Sequence, residues 1–120
     1  MSRASGRNAE EIAASYLQKM GLKILERNVG FPFGEIDLIA QDQKVLVFVE
    51  VKHRQSLSYQ DPWSAVDRAK RKRIILAAKA YLERRALRDP ICRFDVIAMW
   101  GKLDSVELDH IKDAFIDEGY

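Results

Sequence analysis

The sequence has a single cysteine, Cys92, and only two histidines among 120 residues. One cysteine excludes an internal disulfide, and no Cys/His group has the spacing of a zinc site. Long hydrophobic runs are missing too. The longest, such as Val45 to Val49, falls far short of the roughly 20 apolar residues that cross a bilayer. No apolar segment follows the opening Met-Ser-Arg-Ala-Ser-Gly, so a secretory signal is not expected, and a reducing cytoplasm is the expected compartment. There is no internal repeat and no low-complexity tract.

What is present reads as an ordinary globular protein, 48% hydrophobic and 32% charged. Its length suits a single domain, residues 1–120, around one small core. The net charge of +2 hides an uneven distribution. Between Val66 and Arg85 eight Lys/Arg stand against two acids, Asp67 and Glu83, and the chain turns acidic from Asp104 onward. One basic surface is expected. A polyanionic partner and a plain solvated helix face explain it equally well.

Ala9, Ile12, Ala13, Tyr16, Leu17 and Met20 follow the spacing of an amphipathic helix, which Gly21 ends by taking the left-handed conformation. A short β-prone stretch covers Leu22 to Leu25, and Asn28 to Gly34 reads as a loop punctuated by Gly30, Pro32 and Gly34. Glu35 to Ala40 and Val45 to His53 form two strands, and the short connection between them favours an antiparallel hairpin. The second is nearly all Val, Leu and Phe, which suits a central strand covered on both faces. Asp61 as cap and Pro62 at the first position open a long helix, with Val66, Ala69, Ile74, Ala77, Ala78, Tyr81 and Leu82 as its buried stripe. Phe94 to Met99 is a further strand. Trp100 to Asp104 is a turn, Ser105 to Leu108 a short edge strand, and Ile111 to Phe115 a short helical or irregular tail. The order is α-β-β-β-α-β-(β), an α/β mixed sheet with helices packed on it.

Chemistry concentrates in the hairpin. Glu50 and Lys52 alternate onto one face of a strand that is otherwise apolar, and such charges are costly to bury unless paired or metal-bound. A Glu-x-Lys pair alone is most simply an ion pair or a charged strand end. Asp37 changes the reading, because the hairpin sets its strand beside that of Glu50. Two carboxylates near one lysine suit Mg²⁺ or Mn²⁺ and a phosphodiester. The oxygens hold the ion, and the lysine positions water and offsets negative charge on the phosphoryl group.

These residues carry a resemblance. Gly34-Glu35-Ile36-Asp37-Leu38-Ile39, followed by Val47-Phe48-Val49-Glu50-Val51-Lys52-His53-Arg54, resembles the YraN family, a bacterial group related to restriction-endonuclease-like nucleases of the PD-(D/E)xK type and to archaeal Holliday-junction resolvases. The likeness extends to Gly6-Arg7-x-Ala9-Glu10-x-x-Ala13-x-x-Tyr16-Leu17, to Lys70 and Lys72, to Arg93-Phe94-Asp95-Val96-Ile97, and to His110-Ile111-x-x-Ala114-Phe115. It implies a restriction-endonuclease-like fold and a Mg²⁺- or Mn²⁺-dependent nuclease acting on DNA rather than RNA, with branched or processed DNA as substrate. By the same resemblance Asp37 and Glu50 are metal ligands, with the Val51 carbonyl adding an oxygen, and Lys52 is the catalytic lysine. Glu10 matches an acid that reaches the metal, often through water; a solvent-facing helix acid beside Glu11 is the equal alternative. Glu35 either supports the metal site or makes a hairpin-end ion pair. Lys70, Lys72, Arg54 and Arg7 form the expected nucleic-acid-binding set, and the analogy extends to a homodimer addressing two strands.

The sequence departs from the family before Gly34, where Gly30 and Pro32 replace expected basic residues. Phe31 and Phe33 flank them, to be read as base-stacking groups or as core packing. Trp63 is expected to pack, and Asp95 to pair with Arg93. His53, His110 and Cys92 carry no ligand pattern. The rival to a nuclease is a non-catalytic nucleic-acid-binding or protein-interaction module on the same fold.

Overall fold

The computed structural model describes residues 8–54 and 67–117. In chain order the elements are α1 (Ala9–Lys19), β1 (Lys23–Phe31), β2 (Gly34–Asp42), β3 (Val45–Arg54), α2 (Arg68–Arg84), β4 (Ile91–Trp100) and β5 (Glu107–Phe115). The sheet order is β1-β2-β3-β4-β5; β3 and β4 run parallel, and the other neighbours are antiparallel. The α/β order read from the sequence is therefore the observed one, with β3 at the centre.

Strict alternation along β3 sorts its side chains between two layers. Val47 and Val49 join Leu17 of α1, with Ile97 and Met99, in one apolar cluster. Phe48 joins Ile75, Ala78 and Tyr81 of α2, with Phe94 and Val96, in the other. Within that second layer Phe48 meets Tyr81 edge-on and Phe94 in a stack. Glu50 and Lys52 follow Phe48 in the same alternation, so the sequence directs them towards the α2 side.

Capping fixes where both helices begin. Asn8 and Glu11 make a reciprocal capping box that starts α1 at Ala9. At the other end Gly21 adopts φ +97°, and the Gly21 and Leu22 N–H groups donate to the Gln18 and Leu17 carbonyls, closing a Schellman motif. Asp67 caps α2 through the Lys70 N–H, and the helix runs from Arg68. Asp61, Pro62, Trp63 and Val66, like Arg7, lie outside the described residues. Two residues of the expected stripes face solvent: Met20 at the C-terminal cap of α1, and Ala69 in the first turn of α2.

Two stretches differ from the sequence expectation. The loop expected over Asn28 to Gly34 is mostly strand, since Val29↔Ile36, Gly30↔Glu35 and Phe31↔Gly34 pair across a turn of only Pro32 and Phe33. Backbone pairing tolerates glycine here because the partner strand, not a side chain, supplies the contacts. The expected helical tail is the second half of β5. Buried Ile111 and Phe115 are four apart, a spacing that suits a strand face as well as a helix turn. A register irregularity opposite Asp95 accompanies Asp113 at φ +53°.

Two substitutions test this framework in opposite directions. Ala86 closes α2 at φ +54°, with its N–H and that of Leu87 donating to the Glu83 and Leu82 carbonyls. A left-handed alanine costs roughly 1–2 kcal/mol, so Ala86→Gly is expected to stabilise by about 1 kcal/mol in urea denaturation. At Gly34 an added Cβ would lie 2.7 Å from the Arg73 carbonyl oxygen, with helix backbone unable to give way cheaply. Gly34→Ala is expected to destabilise by about 1–3 kcal/mol in the same measurement.

Candidate active site

The β2–β3 ladder ends at Leu38↔Val49, whereas β3 stays paired with β4 as far as Arg54↔Trp100. The two strands therefore part at Asp37 and Glu50. At this fork the Asp37 carboxylate, through Oδ2, accepts the Val51 N–H at 2.8 Å. A strand residue sends its N–H and carbonyl to the same edge, so the Val51 carbonyl also leaves on the Asp37 side.

Glu50 lies deep in the cluster, its side chain only 4% exposed. Its Oε2 receives Lys70 Nζ at 2.6 Å, and its carboxyl also lies in hydrogen-bond reach of Asp37. Burial, with the Asp37 charge beside it, pushes the Glu50 carboxyl up to about 7, against the opposing pull of Lys70. Glu10 comes from α1 on the other layer. Burial first, and then Asp37, raise its carboxyl, while a hydrogen bond from Asn28 opposes the rise; Glu35, exposed on β2, adds a weaker push. The fork is thus reached from both layers, by Glu10 on one side and Lys70 on the other.

The lysines divide their protons unequally. Burial lowers Lys52, and its hydrogen bond with Lys70 and the Lys70 charge lower it further. Lys70 is also depressed by burial, but its bonds to Glu50 and Lys52 override that and its net shift is upward. The two lysines therefore shift in opposite directions, Lys52 downward and Lys70 upward. Arg54 is exposed at the end of β3 and its charge acts on Lys52, in keeping with its expected face.

The structure brings together Asp37, Glu50, Val51, Lys52 and Glu10, with Arg54 at the margin. Lys70, expected among the phosphate-gripping residues, forms an ion pair with Glu50, because the Asp67 cap sets it in the first turn of α2 facing the sheet. Nothing in its spacing distinguished it from Lys72, which is exposed on the same helix. Phe31 packs against the core beside α2, whereas Phe33 is exposed.

A second polar group joins Asp95, His110 and Tyr16. Asp95 is fully buried and accepts from His110 Nε2 at 2.8 Å, Arg93 Nε at 3.0 Å and the Asp113 N–H at 3.0 Å. Tyr16 closes on His110 Nδ1 at 3.0 Å, and Arg93 continues to Asp42. Burial works to raise Asp95, but these donors prevail and hold it below the usual carboxylate range. The group therefore reads as a satisfied clasp joining α1, β4 and β5. Its signal was the even spacing of Arg93 and Asp95; His110 was marked only by the motif it shares with the family. His53 likewise has a partner, the Gly101 carbonyl at 2.7 Å.

Among the described residues no set of three His, Cys, Asp or Glu side chains is arranged to hold an ion unaided. The donors at the fork are two carboxylates and a backbone carbonyl, all hard oxygens. Mg²⁺ sites commonly use one or two carboxylates and retain several waters, so this set fits such an ion.

Comparison with known proteins gives a family without an activity. The profile of the Uncharacterised protein family UPF0102 matches residues 9–99. A UPF0102 protein of Syntrophotalea carbinolica is 44% identical over 96% of this chain and 94% of its own. Another, from Symbiobacterium thermophilum, is 50% identical over 81% of this chain and 82% of its own. A third, from Shewanella oneidensis, is 43% identical over 92% of this chain and 97% of its own.

The raised Glu50 carboxyl has a thermodynamic consequence. An acid whose folded value lies above its unfolded value, here about 7 against 4.5, contributes stability that is present at low pH and lost as pH rises through the folded value. Without divalent ions, the melting temperature of the wild type is expected to fall by several degrees relative to Glu50→Gln between about pH 5 and about pH 8. Parallel pH profiles for the two proteins would mean that Lys70 keeps Glu50 ionised throughout.

Proposed function

The chain belongs to the uncharacterised protein family UPF0102, the YraN family of the sequence resemblance, and from its site we propose that it is a metal-dependent nuclease hydrolysing phosphodiester bonds of DNA. One observation carries the reading: Asp37, Glu50 and Lys52 meet where β2 and β3 part, with Glu50 crowded until its carboxyl titrates near 7. Such crowding costs folding free energy, and a bound cation would relieve it.

Asp37, Glu50 and the Val51 carbonyl would hold Mg²⁺ or Mn²⁺, with Glu10 acting through water. Such an ion supplies Lewis-acid polarisation of the phosphate and a more acidic bound water. Asp37 is held in place by the Val51 N–H, which leaves its other oxygen for this task. Lys52, driven towards the amine, holds the attacking water and can take its proton. Lys70, driven the other way, stays cationic and faces the negative charge that develops on the phosphoryl oxygens. Arg54, Lys72 and Arg7 are assigned to flanking phosphates. The preference for DNA, a branched or processed substrate and a homodimer belong to the same reading through the family resemblance and the analogy with resolvases, and a cytoplasmic location follows from the lone cysteine and the expected lack of a secretory signal. No helix among the described residues is long and apolar enough to cross a membrane.

The short Lys70–Glu50 pair favours a second reading, a non-catalytic binding module in which the cluster is an ion pair. The deciding experiment follows labelled duplex, single-stranded and four-way-junction DNA with Mg²⁺ or Mn²⁺. Wild type is expected to cut at least one of them, and folded Asp37→Ala and Lys52→Ala to lose roughly a hundredfold or more in rate. Absence of cutting with binding intact in all three proteins would select the binding module, and cutting undiminished in both variants would remove the site.

A further inference from the structure

We infer that the tip of the β1–β2 hairpin is a stacking platform for unpaired bases, which directs the site towards DNA with single-stranded character. The inference rests on the nuclease reading only for the arrival of DNA at this hairpin; the platform itself is a binding surface with its own readout.

The turn consists of Pro32 and Phe33 alone, so Phe33 and the strand-end Phe31, on either side of Pro32, are held close together. Phe31 and Phe33 lie with ring centroids 5.8 Å apart and planes within 12° of parallel. Phe31 is seated against the α2 layer, and the Arg84 guanidinium lies 4.8 Å from its ring centroid. Phe33 is 42% exposed on that support. A free phenylalanine at a loop tip is costly to hold in water; here one ring is anchored and braces the other, and the braced ring is left open. Beside them Gly30 leaves open space where a side chain would project.

Charge selects the occupant. Arg84 and Arg73, both exposed on α2, border the hairpin, and Arg73 is in direct backbone approach to Gly34. Cations beside an exposed aromatic ring match a nucleotide, whose base stacks while its phosphate pairs with an arginine. An apolar protein partner would find charge at this rim instead. A paired base inside a duplex hides its faces, so the ring can engage only an unpaired or splayed one. Phe33 lies in the turn just before β2, four residues before Asp37, roughly 13 Å along the chain. An unpaired base held there would place a neighbouring phosphodiester towards the fork.

The test is fluorescence anisotropy with a labelled single-stranded oligonucleotide and a blunt duplex of the same sequence, in EDTA so that no cutting intervenes. Wild type, Phe33→Ala and Phe33→Trp are compared, with circular dichroism as the check of fold. Phe33→Ala is expected to weaken single-strand binding roughly ten- to hundredfold and to leave duplex binding unchanged, while Phe33→Trp retains the single-strand affinity. Equal single-strand binding by wild type and Phe33→Ala, an equal loss on both DNAs, or no single-strand binding by wild type would each overturn the platform. If single-strand binding depends on Phe33 but no DNA is cut with Mg²⁺ or Mn²⁺, the platform stands and the nuclease reading falls. If DNA is cut but Phe33 is indifferent, the reverse holds.

Discussion

The bond from the Val51 N–H to the Asp37 carboxylate is what the rest of the site depends on. A central strand ordinarily has both edges taken by its neighbours, which leaves no backbone oxygen free and no space for a ligand. Here β3 keeps its parallel partner to the end, while β2 leaves it after Leu38. Substituting a side-chain oxygen for a missing backbone partner satisfies the Val51 N–H without closing the gap. The fork therefore costs no unsatisfied donor at Val51. It also fixes the rotamer of Asp37, so that the carboxylate is presented rather than free to swing.

Among the described residues two acids are buried, and they contrast. Asp95 has a histidine, an arginine and a backbone N–H around it, and its proton affinity falls despite full burial. Glu50 has one lysine and a competing carboxylate, and its proton affinity rises. The first arrangement is what a structural acid needs: its charge is matched, and α1, β4 and β5 are tied together by it. The second is poorly matched by the protein alone. On the proposed reading, a buried acid placed beside a second carboxylate suits a site that is to receive a cation. Environment, and not residue type, separates the two roles.

Much of this was legible in the sequence because it rests on local periodicity. The apolar alternation of β3 identified the central strand, and the same alternation put Glu50 and Lys52 on one face. Asp37 could be brought beside them because a hairpin of that length has few registers. What was not legible was set by contacts between distant segments. Lys70 looks like any cation in a basic run until the Asp67 cap and the packing of α2 on Gly34 turn it onto Glu50. His110 meets Tyr16 and Asp95 only because β5 folds back beside β4. The length of β5 was misread because its turn-like irregularity at Asp113 is stabilised by a buried carboxylate in another strand. The end of β1 was misread because Gly30, Pro32 and Gly34 look like loop punctuation, although only Pro32 and Phe33 make the turn.

The two lysines explain why a site with so much negative charge should carry both. Burial by itself lowers Lys52, and the Glu50 charge opposes that. Lys70, arriving from α2, takes the ion pair with Glu50, and its bond and charge lower Lys52 further. The strand lysine is thereby released from a structural duty that the helix lysine has assumed. Because Lys70 reaches across from α2, the proton affinity of Lys52 depends on how that helix is seated on the sheet. The close approach of Gly34 to the Arg73 carbonyl and the capping of α2 by Asp67 are therefore part of the site's electrostatics, although neither residue is placed at the fork.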